Sequence, residues 1–369
     1  MAQRVMKPDC ELRFFVRRLR ADGQTLALDR AAPAAALGPG DALLRPISVL
    51  ITRIDRHAIA LNASGQVAAS GASGFTPGVS VLAALVSVSA VPSRSPAEAA
   101  SVARAQKLVG LRVLVSPSVP CSVCELCTRG LSAHCPKRTI MGLWQRDGGL
   151  ADELLMPAAN LVPVPDSIDD ERAVFAFLAG SAAHATASFR VEGKPFITVL
   201  GDGPLALLTV QAMARLNASV RLLGRHEAKL ALCERWGIKH RPEHEAGRRN
   251  DQDVVIDCTG SSDGVITAIG LLRPRGRLVL KSCSTLGPMA SGGPGAGGTL
   301  SAGVIDALVR AEIEVIGSRE GSIAEGLALI QKGLVQTDAL ITRRAKLEDA
   351  PAVLSQARGA EIATLIDIK

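Results

Sequence analysis

The sequence contains no tyrosine, and aromatic residues make up only 2% of its 369 positions. Tyrosine is therefore excluded as a catalytic acid, and the cores must be built from valine, leucine, isoleucine and alanine. Basic residues are scattered rather than interleaved with aromatic ones, as binding of single-stranded nucleic acid would require, so we expect no nucleic-acid partner. The formal charge of +7 indicates only a weak preference for anionic ligands.

The chain also lacks a long apolar run and an N-terminal signal core. Its longest apolar stretch, Val79 to Val91, is interrupted by serines and is shorter than the ~20 residues of a membrane span. Residues Met1 to Arg20 mix charged with apolar side chains. We therefore expect a cytoplasmic protein without membrane contact. The length of 369 residues favours two domains, and a hydrophobic content of 47% indicates that a substantial core can be buried.

The first part of the chain, up to about residue 165, consists of short strand-like runs and turns. This pattern predicts an antiparallel, barrel-like domain. The predicted elements are strands at Asp41–Ile51, Val79–Val91 and Gly110–Val115 and a helix at Ala97–Lys107.

Beyond residue 165, apolar strands alternate with helices. This alternation predicts a parallel sheet with helices on both faces, so the fold class is α/β: a doubly wound parallel sheet plus an antiparallel β-barrel domain. A helix is predicted to open at Asp166, and the Gly-rich stretch Pro288 to Gly298 predicts a loop. The remaining predicted elements lie at Phe196–Leu200, Pro204–Leu216, Val220–Leu223, Glu227–Trp236, Val254–Asp257, Arg277–Lys281 and Glu312–Gly317, with a helix through Ile323, Leu327, Ile330 and Leu334.

Four of the eight cysteines are clustered with the spacing C-x2-C-x2-C-x7-C; they are Cys121, Cys124, Cys127 and Cys135. Clustering in an intracellular chain suggests metal binding rather than disulfides. Four thiolates from one short segment fit a closed, tetrahedral structural zinc site that leaves no position for substrate. Two alternatives stay open. One is an iron–sulfur cluster, although the x7 gap exceeds the usual x3 of bacterial ferredoxins, and the other is four ordinary buried cysteines.

A glycine-rich turn follows the predicted strand Phe196–Leu200 and opens a helix. It reads G-x-G-x-x-A, as Gly201-Asp202-Gly203-Pro204-Leu205-Ala206. Gly201 permits the tight turn, Gly203 lets the backbone approach a pyrophosphate, and Ala206 permits close packing of helix on sheet. The helix N-terminus attracts phosphates, so the context predicts a dinucleotide site. The alternative is a strand–helix turn without a ligand.

The next predicted strand bears on the form of the dinucleotide. An acidic residue is expected at its end, about 20 residues beyond the turn, to bind the ribose hydroxyls of NAD. Here the strand ends Leu223-Gly224-Arg225. With no carboxylate there to repel a 2′-phosphate, and with Arg225 and Lys229 nearby, the sequence favours NADP, with NAD possible. The alternative is that Arg225 only ends a surface strand.

Together these features resemble the medium-chain dehydrogenase/reductase superfamily, in its zinc-containing alcohol, polyol and threonine dehydrogenase branch. The resemblance covers nearly the whole chain. It is carried by Ala133-His134-Cys135-Pro136, Asp147-Gly148-Gly149-Leu150-Ala151, Val162-Pro163-Val164-Pro165, Gly224-Arg225-His226-Glu227-Ala228-Lys229-Leu230, Asp257-Cys258-Thr259-Gly260 and Gly317-Ser318-Arg319.

The resemblance implies a GroES-like domain at residues 1–165, with the structural zinc lobe, a Rossmann domain at residues 166–318, and a return to the GroES-like domain at residues 319–369. It implies hydride transfer to a nicotinamide, a small-molecule substrate, and a homo-oligomer, either dimer or tetramer. It also places Gly224 and Thr259 among the cofactor contacts and Arg53 where it can contact a cofactor phosphate.

The family's catalytic zinc site is where this sequence departs from the pattern. The family supplies ligands from Cys-x-x-Asp, Gly-His-Glu-Phe and Ala-Val-Phe-x-Glu-Pro. The matching stretches here are Thr52-Arg53-Ile54-Asp55, Gly78-Val79-Ser80-Val81 and Ala173-Val174-Phe175-Ala176-Phe177-Leu178. A hydroxyl, an isopropyl and a phenyl group in place of thiolate, imidazole and carboxylate cannot hold zinc. Thr52, Asp55 and His57 are the candidate catalytic residues, with His57 matching a proton-relay residue of some members.

Three functions are then open. The first is a zinc-independent NADP(H) oxidoreductase similar to the quinone and enoyl reductases of the superfamily, because hydride addition to an activated double bond needs no Lewis acid. The second is an inert dinucleotide-binding protein with a sensing or scaffolding role. The third is a dehydrogenase that takes zinc ligands from elsewhere, such as His184 or Asp55. The neighbourhood of Val79 and Phe177 predicts only that the substrate pocket is apolar.

Overall fold

The structure is a computed structural model, and it describes residues 16–21, 25–33, 36–63, 74–247, 249–282, 302–356 and 359–368. The glycine-rich stretch predicted as a loop at 288–298 lies outside the described residues. Within the described ranges, no helix combines the length and the apolar character that crossing a membrane demands.

Short strands dominate the first part of the chain. The strands are β1 (Val16–Ala21), β2 (Leu26–Ala31), β3 (Asp41–Ile51), β4 (Ser80–Val88), β5 (Arg112–Val115), β6 (Ser118–Val119), β7 (Thr139–Met141), β8 (Gln145–Arg146), β9 (Leu154–Pro157) and β10 (Leu161–Pro163). The helices between them are α1 (Arg53–Ala63), α2 (Pro96–Gln106) and α3 (Glu125–Thr128).

Strands and helices alternate in the second part of the chain. The strands are β11 (Phe196–Leu200), β12 (Ser219–Gly224), β13 (Lys239–Pro242), β14 (Gln252–Asp257), β15 (Leu272–Leu280) and β16 (Glu314–Gly317). The helices are α4 (Asp170–Ala173), α5 (Ala176–Ala187), α6 (Pro204–Met213), α7 (Glu227–Arg235), α8 (Ser262–Leu271) and α9 (Ala302–Arg310). The chain then forms α10 (Ile323–Gln331), β17 (Ile341–Lys346), α11 (Ala350–Ser355) and β18 (Ala363–Asp367).

A seven-stranded sheet joins strands from residues 41–163 with strands from residues 341–367. Its order is β10-β5-β4-β3-β18-β17, and β9 also pairs with β3. Every pair is antiparallel except β17 with β18. Leu50 of β3 pairs with Leu365 of β18, so the last strand of the chain lies beside the strand that precedes the candidate catalytic residues.

The second sheet has six strands, all parallel, in the order β13-β12-β11-β14-β15-β16. This order corresponds to 3-2-1-4-5-6, that of a doubly wound dinucleotide-binding sheet. In β14, Val254 and Ile256 belong to one core cluster and Val255 to another, because alternate residues face the helices on opposite faces. The predicted α/β fold class, with a parallel sheet and a separate antiparallel one, is confirmed.

Several predicted boundaries differ from the structure, for local reasons. The helix predicted from Asp166 begins at Asp170, because Asp169 caps it by accepting a hydrogen bond from the Arg172 amide at 2.8 Å. Helix α10 ends at Gln331, so Leu334 lies beyond it. Gly333 follows with φ of +64°, a left-handed conformation that terminates helices.

Candidate cofactor and metal sites

The glycine turn between β11 and α6 has the geometry of a phosphate-binding loop. Gly201 adopts φ of +109°, and its amide donates to the Leu223 carbonyl at 2.8 Å, which holds the turn against β12. Gly203 immediately precedes α6 in an extended conformation, and a Cβ added there would meet no atom within 4 Å. The open space above Gly203 and the N-terminus of α6, where Leu205 and Ala206 present their amides, could therefore accept a pyrophosphate.

Leu205 and Pro204 of the motif lie in the first turn of α6. Pro204 is buried and Leu205 is half-buried. Ala206 is also buried, and its methyl group would lie 3.6 Å from a Cβ added at Gly201. The small side chain therefore lets the helix approach the sheet, as the motif predicts.

Asp202, the second residue of the turn, contacts the end of β12. Its Oδ2 accepts hydrogen bonds from the amides of Arg225 at 2.7 Å and His226 at 2.9 Å, and from His226 Nδ1 at 2.9 Å. Lys229 Nζ lies 3.7 Å from Oδ1. Burial opposes ionisation, but these hydrogen bonds and the nearby ammonium outweigh it, so the pKa of Asp202 lies below its ordinary value.

The two cations on which the NADP prediction rested both have acidic partners. Lys229 is buried beside Asp202, and Arg225 Nε donates to Glu243 Oε2 at 2.7 Å. The premise that this strand end has no carboxylate is corrected by the fold, because Asp202 supplies one from the glycine turn. Gly224 makes room for it, since a Cβ at Gly224 would lie 2.8 Å from the Asp202 Cβ.

A groove of about 440 Å³ adjoins this strand end. It is lined by Arg225 and Glu243 on one side and by Thr267 and Leu271 of α8 on the other. In a doubly wound sheet, the half that contains β12 and β13 receives the adenosine part of a dinucleotide. The groove is therefore the candidate adenosine pocket.

The loop after β14 contacts helix α1. The Thr259 amide and Oγ1 both donate to Asp257 Oδ1, at 2.9 and 2.7 Å, and burial raises the pKa of Asp257. Arg53, at the start of α1, donates through Nη1 to the Thr259 carbonyl. The contact brings the predicted catalytic residues near the carboxyl ends of the parallel strands, where ligands bind in such folds.

Lys281 was not singled out from the sequence, where it only ended a predicted strand. It follows β15, is buried, and donates through Nζ to Ser318 Oγ at 3.0 Å and to the Arg319 carbonyl at 2.6 Å. Ser318 Oγ also lies 2.8 Å from His184 Nδ1. Burial lowers the pKa of Lys281 to about 8. A lysine directly after an apolar strand is the signal that could have identified this group on the half of the sheet that receives nicotinamide.

Thr52 and Asp55 form a cap at the start of α1. Asp55 is fully buried, and its Oδ2 accepts from the Thr52 amide at 2.9 Å. Its Oδ1 accepts from the Val79 amide at 3.2 Å. The Thr-x-x-Asp spacing is that of a capping box, in which the acidic side chain returns to the amide that precedes the helix. Asp55 therefore joins the two segments that match the first two zinc-ligand segments of the family.

Apolar side chains surround this junction. Val79 is buried in a cluster with Phe75, Trp144 and Ala58, and the half-buried Phe177 packs against the same cluster. The positions that match a zinc-binding imidazole and carboxylate therefore share one hydrophobic core. Among the residues that the structure describes, neither position lies in a group of three or more side chains able to hold a metal ion.

His57, the third predicted catalytic residue, lies on α1 and is half-buried. It lies two residues after Asp55 on α1, just beyond the buried cap that contains Thr52 and Asp55. Of the three candidates, His57 alone retains partial access to solvent, since Thr52 and Asp55 are both buried.

Asp55 should make folding stability fall between about pH 4 and 6. Burial raises its pKa from 3.8 to about 6, so the folded state binds the proton more tightly than the unfolded chain. The stabilisation is complete below the unfolded pKa and is lost as the pH rises through the folded one, for a total of about 3 kcal/mol. Urea unfolding of wild type and Asp55→Asn across pH 4–7 measures this contribution, as a difference between their free energies of unfolding that changes with pH. Asp263→Asn, at an exposed carboxyl, is the control; parallel curves for wild type and Asp55→Asn would contradict the assignment.

The four clustered cysteines lie together in the structure. The Sγ atoms of Cys121, Cys124, Cys127 and Cys135 all lie within 4.8 Å of one another. Cys124 Sγ is 3.5 Å from Cys127 Sγ and 3.8 Å from Cys135 Sγ. A tetrahedral zinc with bonds of ~2.3 Å requires sulfur separations of about 3.8 Å. The four thiols could therefore hold one zinc ion with little movement.

The backbone around Cys121 favours its thiolate. Ser122 adopts φ of +60°, and the Val123 and Cys124 amides donate to the Cys121 sulfur and lower its pKa to about 6. Metal binding requires thiolates, so this turn prepares one ligand.

The fold thus combines a parallel sheet that carries a glycine turn with a mainly antiparallel sheet, and four clustered cysteines lie between β6 and β7. Residues 38–166 match the alcohol dehydrogenase GroES-like domain. The chain is 25% identical over 261 residues to a zinc-type alcohol dehydrogenase-like protein of Haemophilus influenzae, a match of 67% of this chain and 72% of the relative. It is 29% identical over 278 residues to D-xylulose reductase A of Aspergillus oryzae, covering 70% and 74% of the two chains.

A solved structure has the same fold. It is that of a protein assigned as a zinc-binding dehydrogenase from Sinorhizobium meliloti, bound to NADP, with a TM-score of 0.76 and 23% identity over 96% of this chain and 99% of the other. Residues 38–166 thus match the GroES-like domain of alcohol dehydrogenases, and the chain as a whole is similar to zinc-type alcohol dehydrogenase-like proteins and polyol reductases. These similarities to dehydrogenases and reductases indicate an alcohol dehydrogenase-like oxidoreductase.

Proposed function

We propose that this protein is a nicotinamide-dependent reductase that works without a catalytic zinc. One observation carries the proposal: Val79 and Phe177, at two of the family's ligand positions, lie in one hydrophobic cluster, and both oxygens of Asp55, in the segment that matches the zinc-binding cysteine, accept hydrogen bonds from backbone amides. These groups do not fit a metal ion. Without one, an alcohol would lose several kcal/mol of stabilisation of the developing alkoxide, of which a single hydroxyl donor restores about 3–4 kcal/mol at best.

The residues around the glycine turn fit a dinucleotide. Gly201 and Gly203 would receive the pyrophosphate, Leu205 and Pro204 begin the helix that faces it, and Thr259 would flank the cofactor across the cleft. Reduced nicotinamide, when bound, supplies a hydride to an electron-poor carbon such as that of an enone or quinone. The sequence favours NADP through Arg225 and Lys229, whereas their pairing with Glu243 and Asp202 supports NAD.

An inert dinucleotide-binding role is the second candidate. It is supported by Asp55, which the sequence offers as a catalytic group but which is buried with both oxygens bound to backbone amides. The third possibility, a zinc bound through His184 or Asp55, is disfavoured by the same bonds and by the contact of His184 with Ser318.

Oxidation of NADH and NADPH against quinones, enones and aldehydes, with and without a zinc chelator, tests the proposal. We expect turnover of a quinone or enone that persists after brief chelation. Oxidation of a secondary alcohol that the chelator abolishes and zinc restores would contradict it. Cofactor binding without turnover across the panel would favour the inert role.

We further propose one structural zinc at Cys121, Cys124, Cys127 and Cys135, and the domain division 1–165, 166–318 and 319–369. The sulfur separations support the first, and the pairing of β18 with β3 supports the second. Thiolate ligands need a reducing environment, so we place the protein in the cytoplasm.

We also propose a homo-oligomer built through β16. This strand is the edge of the parallel sheet, and Val315 on it is 46% exposed. The adjacent α9 has no buried residue and exposes Ile305 and Val309. An apolar edge with unpaired backbone groups favours pairing with a second copy.

Val315→Lys is expected to separate the copies, because it places charges in the shared edge. Light scattering after size exclusion should give a multiple of 38.3 kDa for wild type and 38.3 kDa for the variant. Val109→Lys, at a residue that is equally 46% exposed, should leave the mass unchanged. A wild-type monomer, or an oligomer that survives Val315→Lys, would contradict this interface.

A further inference from the structure

We propose that the carboxylate of Asp202 selects the cofactor: it binds the adenosine ribose hydroxyl of NAD(H) and excludes the 2′-phosphate of NADP(H). The inference rests on the proposed dinucleotide function and adds a specificity-determining residue to it. Asp202 lies in the glycine turn, outside the strand end where such an acid is expected from sequence spacing.

The position of the carboxylate is built by several groups. Its Oδ2 accepts from the Arg225 and His226 amides and from His226 Nδ1, all within 2.9 Å. Its side chain is only 12% exposed. Gly224 is needed at the strand end because a Cβ there would lie 3.1 Å from Asp202 Oδ2. The carboxylate is therefore held in one place rather than free to move aside.

These bonds occupy the donors that a 2′-phosphate would need. At the end of β12, the groups that can receive an anion are the backbone amides just past the strand and the nearby cations. Here the two amides already hold Asp202, Lys229 is 3.7 Å from its Oδ1, and Arg225 is paired with Glu243. A phosphate dianion would have to displace a carboxylate or lie beside it.

A ribose hydroxyl, in contrast, fits the remaining capacity of Asp202. An ionised carboxylate offers about four acceptor sites. The hydrogen bonds from Arg225 and His226 occupy the acceptor sites of Oδ2. Oδ1, in contrast, accepts no hydrogen bond from the described residues and has only the Lys229 ammonium nearby. The pKa of Asp202 lies below its ordinary value, because hydrogen bonding outweighs the opposing effect of burial. The carboxylate is therefore charged at neutral pH and able to accept the hydroxyl.

The test is calorimetric titration of wild type, Asp202→Ala and Asp202→Asn with NADH and with NADPH. Wild type should bind NADH at least about tenfold more tightly than NADPH. Asp202→Ala should weaken the binding of NADH and strengthen that of NADPH, because the amides and Lys229 become available to the 2′-phosphate. The ratio of the two affinities should therefore reverse. Asp202→Asn keeps the shape of the turn without the charge and should shift the ratio in the same direction if Asp202→Ala does not fold.

Asp263→Asn is the matched control, because it removes one exposed negative charge near Arg225 without touching the amides at residues 225 and 226; its ratio should stay at the wild-type value. A wild type that prefers NADPH, or a ratio that neither Asp202 variant changes, would overturn the inference while leaving dinucleotide binding intact. If wild type binds neither cofactor, the proposed function itself is overturned, and the selectivity of Asp202 with it.

Discussion

Gly203→Val is expected to lower the affinity for the dinucleotide by about 100-fold or more while leaving the fold intact. A Cβ at Gly203 meets no protein atom within 4 Å, and φ is −75°, a conformation open to every residue. The added isopropyl group would instead fill the space that a pyrophosphate needs beside the backbone. Calorimetry with NADH and NADPH measures the loss, which for 100-fold is about 2.7 kcal/mol.

The thermal midpoint and a matched variant separate binding from stability. Gly270→Val makes the same change in α8, where a Cβ also meets no atom within 4 Å. Both variants should melt within a few degrees of wild type, and only Gly203→Val should lose the cofactor. Affinity within twofold of wild type in Gly203→Val would show that the turn does not receive the pyrophosphate.

Cys135→Ser is expected to release the zinc and to destabilise the lobe. Cys135 is the buried member of the four, and its sulfur lies 3.8 Å from Cys124 Sγ and accepts from the Cys121 amide at 3.4 Å. Loss of a structural metal ranks among the large single-site effects, on the order of 4 kcal/mol, which corresponds to a drop of about 8–16 °C in the thermal midpoint.

Metal analysis and melting of Cys233→Ser provide the comparison. Cys233 lies on α7, its thiol is buried in the hydrophobic core, and it is remote in sequence from the cluster. Its serine variant should retain one zinc and lose far less stability than Cys135→Ser. A Cys135→Ser protein that keeps a full equivalent of zinc, or a wild type whose metal is iron with sulfide, would contradict the structural zinc.

Local sequence patterns predicted strands and helices well where the spacing of apolar residues and the positions of turn residues indicate the same element. Strands β3 and β11 have the predicted bounds, because each is an apolar run that a glycine turn borders at one end. Helix α1 was not predicted, although Thr52 and Asp55 have capping-box spacing, because its polar residues obscure the apolar period. Strand β13, Lys239–Pro242, contains only polar residues and proline, so its place in the sheet depends on packing and not on its own pattern.

The candidate site was predictable only where its residues are close in sequence. The glycine turn and the cysteine lobe are contiguous motifs, and their atoms meet in the structure. Asp202 contacts residues 23 and 24 positions away, and the Asp55 contact with Val79 spans 24 positions. No spacing rule specifies such pairs, because they depend on the order of strands in the sheet and on which side chain reaches the neighbouring strand end.

Zinc content of the purified protein, measured by mass spectrometry together with NADH and NADPH titration, tests the central claim most directly. One zinc per chain, lost in Cys135→Ser, together with cofactor binding is the result we predict. A second zinc per chain that resists Cys135→Ser, located beside Thr52 and Val79 in a cofactor complex, would contradict it.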